Sequence, residues 1–286
     1  MAFSVFKKNI NRSLGGNLVI LVLLLLVGAF LMLPLAYVVV TAFKPINEIY
    51  VFPPRLLTVK HPTTDNFANL SKAATEFYVP LSRYIFNSLF VSVVATLGHL
   101  LLSSMAAYPL SRHVFWGRKV INQMVVMALL FSASVTFIPQ YIVMANFRLI
   151  DTYGALILPT LQATLGLYLM INFMSQIPVS ILEAARIDGA NEFTVMFKIV
   201  LPSVKPAWLT AAIFAFQGIW NSTGGSVVYR DSLKMLPSIL SQLQASGLAQ
   251  AGVTAAATLI LMIPPIVLFL LSQNMVIETM STSGMK

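Results

Sequence analysis

Side chains able to do chemistry are scarce in this chain, and their placement says more than their number. Cysteine is absent from the 286 residues, which removes thiolate nucleophiles, disulfides and Cys-ligated metals. No G-x-x-x-x-G-K-[ST] occurs, so the sequence offers no phosphate-cradling loop. All nine acidic residues fall in expected loops or tails, so no carboxylate pair sits inside an apolar run, as a proton-driven pump often requires. A sodium-coupled carrier stays open, because its ligands can be backbone carbonyls. His99 is the one ionisable side chain well inside an apolar run. It either faces a pathway and bonds a polar substrate, or is a neutral imidazole bonded to a neighbouring helix. No second His, Asp or Glu at helical spacing makes it a metal site.

The most specific spacing is Glu183-Ala184-Ala185, three residues, Gly189, nine residues, then Ile199-x-Leu201-Pro202. Such a charged segment between apolar runs is longer than a simple return turn needs, which suggests a shaped element gripped by a soluble partner. Ser180 through Glu183 fits a capping box. Gly189 stands where a helix would end in a left-handed residue, and Asn191 could cap a second helix. In that second helix Phe193, Met196, Phe197 and Val200 fall at i, i+3, i+4 and i+7, an apolar stripe. Leu201-Pro202 should stop it and Lys205-Pro206 lead back into an apolar run. Residue by residue a bland reading competes: Glu183 caps only its own helix, and the stripe rests on the bilayer interface.

The elements that hold this loop are membrane spans. Hydrophobic residues make up 58% and charged residues 9%, a balance foreign to soluble domains. Six apolar runs are expected, at residues 17–43, 83–110, 120–146, 153–176, 206–221 and 251–273. The first follows Lys7, Lys8 and Arg12 but is too long for a cleaved leader. The fourth carries Thr160, Gln162, Thr164, Gly166 and Asn172, and the fifth is short; such spans line cavities or use small polar residues for helix packing. With six crossings, both termini share a side with loops 111–119 and 177–205. Ten of the 18 basic residues lie there, in fewer loop residues, which favours that side being cytoplasmic. The formal charge of +9 is scattered through loops and reads as attraction to the lipid surface, with no nucleic-acid partner expected. The Pro-rich 44–82 segment reads as an irregular extracytoplasmic loop. In the loop after the fifth run, Gly224-Gly225 marks a turn, and residues 236–243 form an amphipathic run that either reaches a partner or lies at the membrane surface.

The loop pattern resembles the signature of ABC importer permeases, and Glu183-Ala-Ala-Arg-Ile-Asp-Gly-Ala190 is similar to the carbohydrate, maltose-type subfamily. Asn87-Ser88-Leu89, Ala107-Tyr108-Pro109-Leu110-Ser111-Arg112, Leu149-Ile-Asp-Thr-Tyr153, Leu156-Ile-Leu-Pro159, Trp220-Asn221 and Ser283-Gly284-Met285-Lys286 resemble other family segments. Ser222-Thr223-Gly224-Gly225 departs from the acidic-aromatic pair that often follows Trp-Asn. The resemblance implies an all-α, polytopic type I importer permease in the plasma (inner) membrane. Residues 1–16 and 274–286 would be cytoplasmic ends, 44–82 an outer loop, and 83–273 the permease core. It implies a non-enzymatic subunit that binds no cofactor, beside a second, different permease, two ATPase subunits that use ATP and Mg, and an extracytoplasmic solute-binding protein. Glu183, Ala184, Ala185, Asp188, Gly189, Leu201 and Pro202 would couple the path to the ATPase. For a sugar path the candidates are Asn87, His99, Gln140, Gln162, Tyr168, Asn172, Trp220 and Asn221. The competing readings are a secondary transporter or channel acting without an ATPase, and a scaffold subunit that docks a cytosolic protein.

Overall fold

The computed structural model describes residues 14–76, 79–131, 133–247 and 250–283, and every regular element among them is helical. Lys7, Lys8 and Arg12, and the family-like terminus at 284–286, lie outside the described residues. The first apolar run forms α1 (Leu14–Ala42), about 44 Å long at 1.5 Å per residue, ample for a hydrocarbon core of about 30 Å. Its Leu18–Leu33 stretch is exposed all round, and its far end packs on the last helix.

The segment expected to be irregular is partly ordered into α2 (Ile46–Ile49) and α3 (Asp65–Glu76). Four of its five prolines sit before α3, and there Glu48 ties the chain back by accepting the Lys60 and His61 amides, each at 2.9 Å. The α3 helix forms because Leu70 and Ala74, four apart, bury one face, while Asn66 donates to the carbonyls ending α1, Ala42 at 2.9 Å and Lys44 at 2.7 Å.

The second run is α4 (Leu81–Arg112). The third is not one helix. It divides into α5 (Arg118–Ala128) and α6 (Ala133–Asn146), because residues 129, 130 and 131 bond three residues back and wind the chain too tightly to continue an α-helix. The fourth breaks as well, into α7 (Tyr153–Leu161) and α8 (Thr164–Ser175), at Gln162-Ala163 among the polar residues noted above. Then come α9 (Val179–Ile187), α10 (Glu192–Thr194), a π-helical turn (Val195–Val200), α11 (Leu201–Ser203) and α12 (Lys205–Trp220), with a bend of 79° at Val204. A short 3₁₀ turn (Asp231–Leu233), α13 (Leu236–Ala245) and α14 (Ala251–Ser283) complete the chain; α14 runs past the expected end at residue 273.

Among the described residues four helical stretches are long and apolar enough to cross a membrane, Gly15–Ala42, Leu81–Arg112, Tyr153–Ser175 and Ala251–Gln273, and the bent pair about Val204, counted as one span, makes a fifth. The chain is all-α and multi-pass. Of the six expected crossings, the broken fourth still counts as one stretch of 23 residues, whereas α5 and α6, of 11 and 14 residues, do not join into a stretch that passes.

Three buried apolar clusters hold the helices together. One joins the 177–205 loop to α4, α8 and α12; a second joins α3, α4, α12, α13 and α14; a third joins α4, α6, α7 and α12 to residues 227–235. The amphipathic run is α13, and its apolar face (Leu236, Ile239, Leu243) is buried in the second cluster and so does not lie on a membrane surface.

At the end of the bundle away from the 177–205 loop, Asp151 is the knot. Its carboxylate accepts the Tyr229 and Arg230 amides, each at 3.0 Å, and the Arg230 Nε at 2.5 Å. The Arg230 amide, ahead of the other donors, holds its carboxyl below the usual range. A depressed folded pKa makes the clamp fully present above the ordinary carboxylate value of about 3.9, and it is lost as pH falls through the lower folded value. Hydrogen-exchange protection at the Tyr229 and Arg230 amides should therefore hold from neutrality to about pH 4 and fail below it. In Asp151→Ala it should be absent throughout; protection fading between pH 7 and 5 would contradict this assignment.

Candidate functional site

The 177–205 loop is built from two short helices meeting at a left-handed glycine. Helix α9 starts at Val179 after Pro178, two residues earlier than a box capped by Ser180 needs, so Ser180 lies inside the helix and the Ser180–Glu183 box does not form. Its C-terminus is a Schellman motif. Gly189 at φ +84° donates to the Arg186 carbonyl at 3.0 Å, and Ala190 donates to that of Ala185, also at 3.0 Å. The accompanying apolar contact is present too, since Ala185 is buried in the first cluster and Ala190 packs against it. Ala184 is exposed while Ala185 is turned inward, so of the two alanines only Ala184 lies on the open face with Glu183, Asp188 and Gly189.

The second half restarts at Asn191, whose Oδ1 accepts the Thr194 amide at 2.8 Å, as its residue type suggests. Its apolar stripe is split. Met196 and Val200 are buried, whereas Phe193 and Phe197 are exposed, 70% and 44%. The cause is the π-helical turn: with i→i+5 bonding, Val195 and Val200 share the inner face, and a stripe counted at 3.6 residues per turn drifts out. Leu201 does not stop the chain, which stays helical through Ser203 and bends at Val204, buried and non-helical. Pro202 is exposed and Leu201 packs partly on the first cluster.

Glu192, which no spacing pattern singles out, ties the loop to α4. Its carboxylate accepts the Tyr108 hydroxyl at 2.5 Å and the Arg186 Nε at 2.9 Å, and lies 3.4 Å from His113 Nε2. Tyr108's hydroxyl first, then Arg186, hold its carboxyl below the ordinary range. Two arginines finish the helix ends nearby. Arg112 donates to the Met174 carbonyl in the last turn of α8 and to that of Ile177 just past it, and Arg118 to Leu110 and Ser111 at the end of α4, both at 2.9 Å.

The eight path candidates do not converge. Gln140 and Gln162 do meet, on the wall of a cavity of about 780 Å³ between α6 and α7, otherwise mainly apolar and shaped by Pro139, Pro159 and Phe131. Three others serve packing. Trp220 is 1% exposed, donates from Nε1 to the Leu261 carbonyl at 2.9 Å and stacks on Phe216, which leaves no ring face for a sugar. Asn87 is fully buried; its Nδ2 donates to the Ser232 and Lys234 carbonyls, both at 2.9 Å, and its Oδ1 accepts from Tyr153 at 2.7 Å. His99 is buried with Nδ1 3.2 Å from the Leu161 carbonyl and 3.2 Å from the Ser103 hydroxyl. Leu161 closes α7, so the imidazole partners a carbonyl that the helix break leaves free. Tyr168 and Asn172 are half-buried on α8, where Asn172 bonds the Tyr168 carbonyl at 2.9 Å. Asn221 is exposed just past α12. These polar groups read as candidate ligands in the sequence because buried groups need partners; here backbone carbonyls supply them, at the end of α7 for His99, at the 3₁₀ turn for Asn87, and inside α14 for Trp220, where Pro265, four residues past Leu261, has no N–H to offer. Asn87→Leu should lower stability by about 1–3 kcal/mol through the groups it orphans, read as a drop in the thermal midpoint in detergent. An unchanged midpoint would return Asn87 to the path.

Residues 81–282 match the family described as the binding-protein-dependent transport system inner membrane component. The chain is 34% identical over 222 residues to the polygalacturonan/rhamnogalacturonan transport system permease protein YtcP of Bacillus subtilis strain 168, covering 74% of this chain and 71% of that protein. It is 28% identical over 261 residues to the arabinooligosaccharides transport system permease protein AraQ of Halalkalibacterium halodurans, covering 88% and 90%. In fold it is similar to a chain from the crystal structure of a bacterial ABC transporter involved in import of the acidic polysaccharide alginate. There the TM-score is 0.76 at 20% identity, over 92% of this chain and 98% of that one.

Proposed function

We infer the function from descent: this chain belongs to the binding-protein-dependent transport system inner membrane component family, and it is a membrane-spanning permease subunit of such a transporter. As cargo we propose a sugar or oligosaccharide, supported by relatives whose names carry polygalacturonan/rhamnogalacturonan and arabinooligosaccharides. The observation that carries the mechanism is the exposed face of the 177–205 loop, where Glu183, Ala184, Asp188 and Gly189 stand clear on a helix fixed by the Schellman turn. That face would seat in a separate ATPase, Glu183 and Asp188 offering charge and Ala184 close approach. Two ATPase subunits would use ATP and Mg, a second and different permease would complete the path, and a solute-binding protein would deliver the cargo to the 222–250 end. Both termini would then be cytoplasmic. The cavity beside Gln140 and Gln162 is our candidate stretch of the path, since amides suit sugar hydroxyls.

Solubilising a tagged chain from its native membrane in mild detergent should bring down an ATPase and a second permease. A chain recovered alone and still able to move solute in liposomes would replace the importer with an autonomous carrier.

A further inference from the structure

The loop is joined to the membrane helices by its two chain ends, by the first apolar cluster, and by polar bonds from Arg112 and Glu192. Its exit runs through α11 into α12, past a π-helical turn and then the 79° bend at Val204, where the backbone leaves the helix at φ −106° and ψ +22°. The polar tie that crosses from the second half of the loop to α4 is Glu192. It stands in the first turn of α10, where Asn191 already caps the helix, so helix formation does not explain its contacts. It is 49% exposed, yet three side chains from elsewhere converge on it: Arg186 of α9, Tyr108 of α4 and His113 just beyond α4. Tyr108 is 4% exposed and reaches out from the first cluster, with its ring edge-on to His113 at 5.2 Å. The bond spans 84 positions of sequence and joins the loop to a helix other than the one it flows into.

We propose that Glu192 is a positioning residue: by accepting from Tyr108 it bolts the coupling loop to α4, so that movement of the loop enters the membrane through α4 as well as α12. This rests on the importer reading above. The bolt makes closure of the ATPase wait on rearrangement of the membrane helices, because a loop fixed to two packed helices shifts only when they shift. Without it only apolar contacts, which have no fixed direction, join the loop to α4, so the loop slips as it follows the ATPase and ATP is hydrolysed without a membrane step.

The test is ATP hydrolysis, read as phosphate release, by the complex purified from native membranes through a tag on this chain. Tyr108→Phe and Glu192→Ala should raise turnover of the intact complex about tenfold, the factor that one charge-assisted hydrogen bond carries, with KM for ATP unchanged. Glu192→Gln keeps an acceptor for Tyr108 and should stay within about twofold of the parent, a rescue that a merely bulky or structural role would not give. Complex recovery by size exclusion checks each variant. Turnover that is unchanged or lowered in Tyr108→Phe, a Gln variant as fast as the Ala variant, or loss of the ATPase from the variant complexes would each overturn the proposal. A parent preparation with no ATPase would instead sink the importer reading, before any variant is made.

Discussion

Replacing Gly166 with valine should leave little folded protein to purify. A Cβ at this position would lie 2.1 Å from His99 Nε2 and 2.9 Å from its Cε1, well inside contact distance. The imidazole cannot simply swing away, because Leu161 and Ser103 hold it and it is 1% exposed. Overpacking a core usually costs about 1–3 kcal/mol, and here a lost partner for the Leu161 carbonyl adds to it. Gly166→Ala should already lower the thermal midpoint in detergent. Removing the ring with His99→Ala should recover much of that loss in the double variant, a coupling expected of residues in contact. An alanine variant as stable as the parent would mean that α4 and α8 approach less closely at this point than described.

Gly189→Val comes second, and it should strike function while sparing the fold. Nothing lies within 4 Å of a Cβ built there, so there is room; the difficulty is the backbone at φ +84°. A non-glycine residue in the left-handed region costs about 1–2 kcal/mol, and a β-branched one more. The cheapest escape is to undo the Schellman turn, which would free Ala190 from the Ala185 carbonyl and reorient the Glu183 face. Membrane insertion should persist, while the ATPase recovered with the tagged chain should fall about tenfold for a penalty of that size. Gly189→Asn, which tolerates the left-handed region, should keep more of it. Equal recovery from valine and parent would show that the shape of this turn does not set docking.

Much of this molecule is legible in its amino acids, and the unread parts share a cause. Apolar runs placed α1, α4 and α14, because span length is a local property, whereas the polar residues of the fourth run were read as cavity lining or helix packing and the break between α7 and α8 was not foreseen. The left-handed Gly189 and the Asn191 cap were readable because helix punctuation is local too. The π-helical turn was not: residues 193–200 fit an α-helical period until their packing is known. The tight turns at 129–131 carry neither glycine nor proline to announce them. Trp220, Asn87 and His99 looked like ligands because the carbonyls that bond them come from segments distant in sequence. Glu192 had no signal at all, since its partner Tyr108 lies 84 positions away.

Two helices, α4 and α12, contribute side chains to all three buried clusters: Tyr108 and Ala211 to the first, Tyr84 and Trp220 to the second, Val91 and Ile219 to the third. Each cluster therefore packs side chains of both. In thermodynamic language this makes the ends of the bundle reciprocal. Where a ligand that favours one arrangement of the 177–205 loop alters affinity at the 222–250 end by some factor, these shared members are the packed route between the two. Occupancy at that far end must then return the same factor to the loop, because linkage has no preferred direction. A measured change in nucleotide affinity upon engagement of the outer end would therefore also give the strength of the opposite effect.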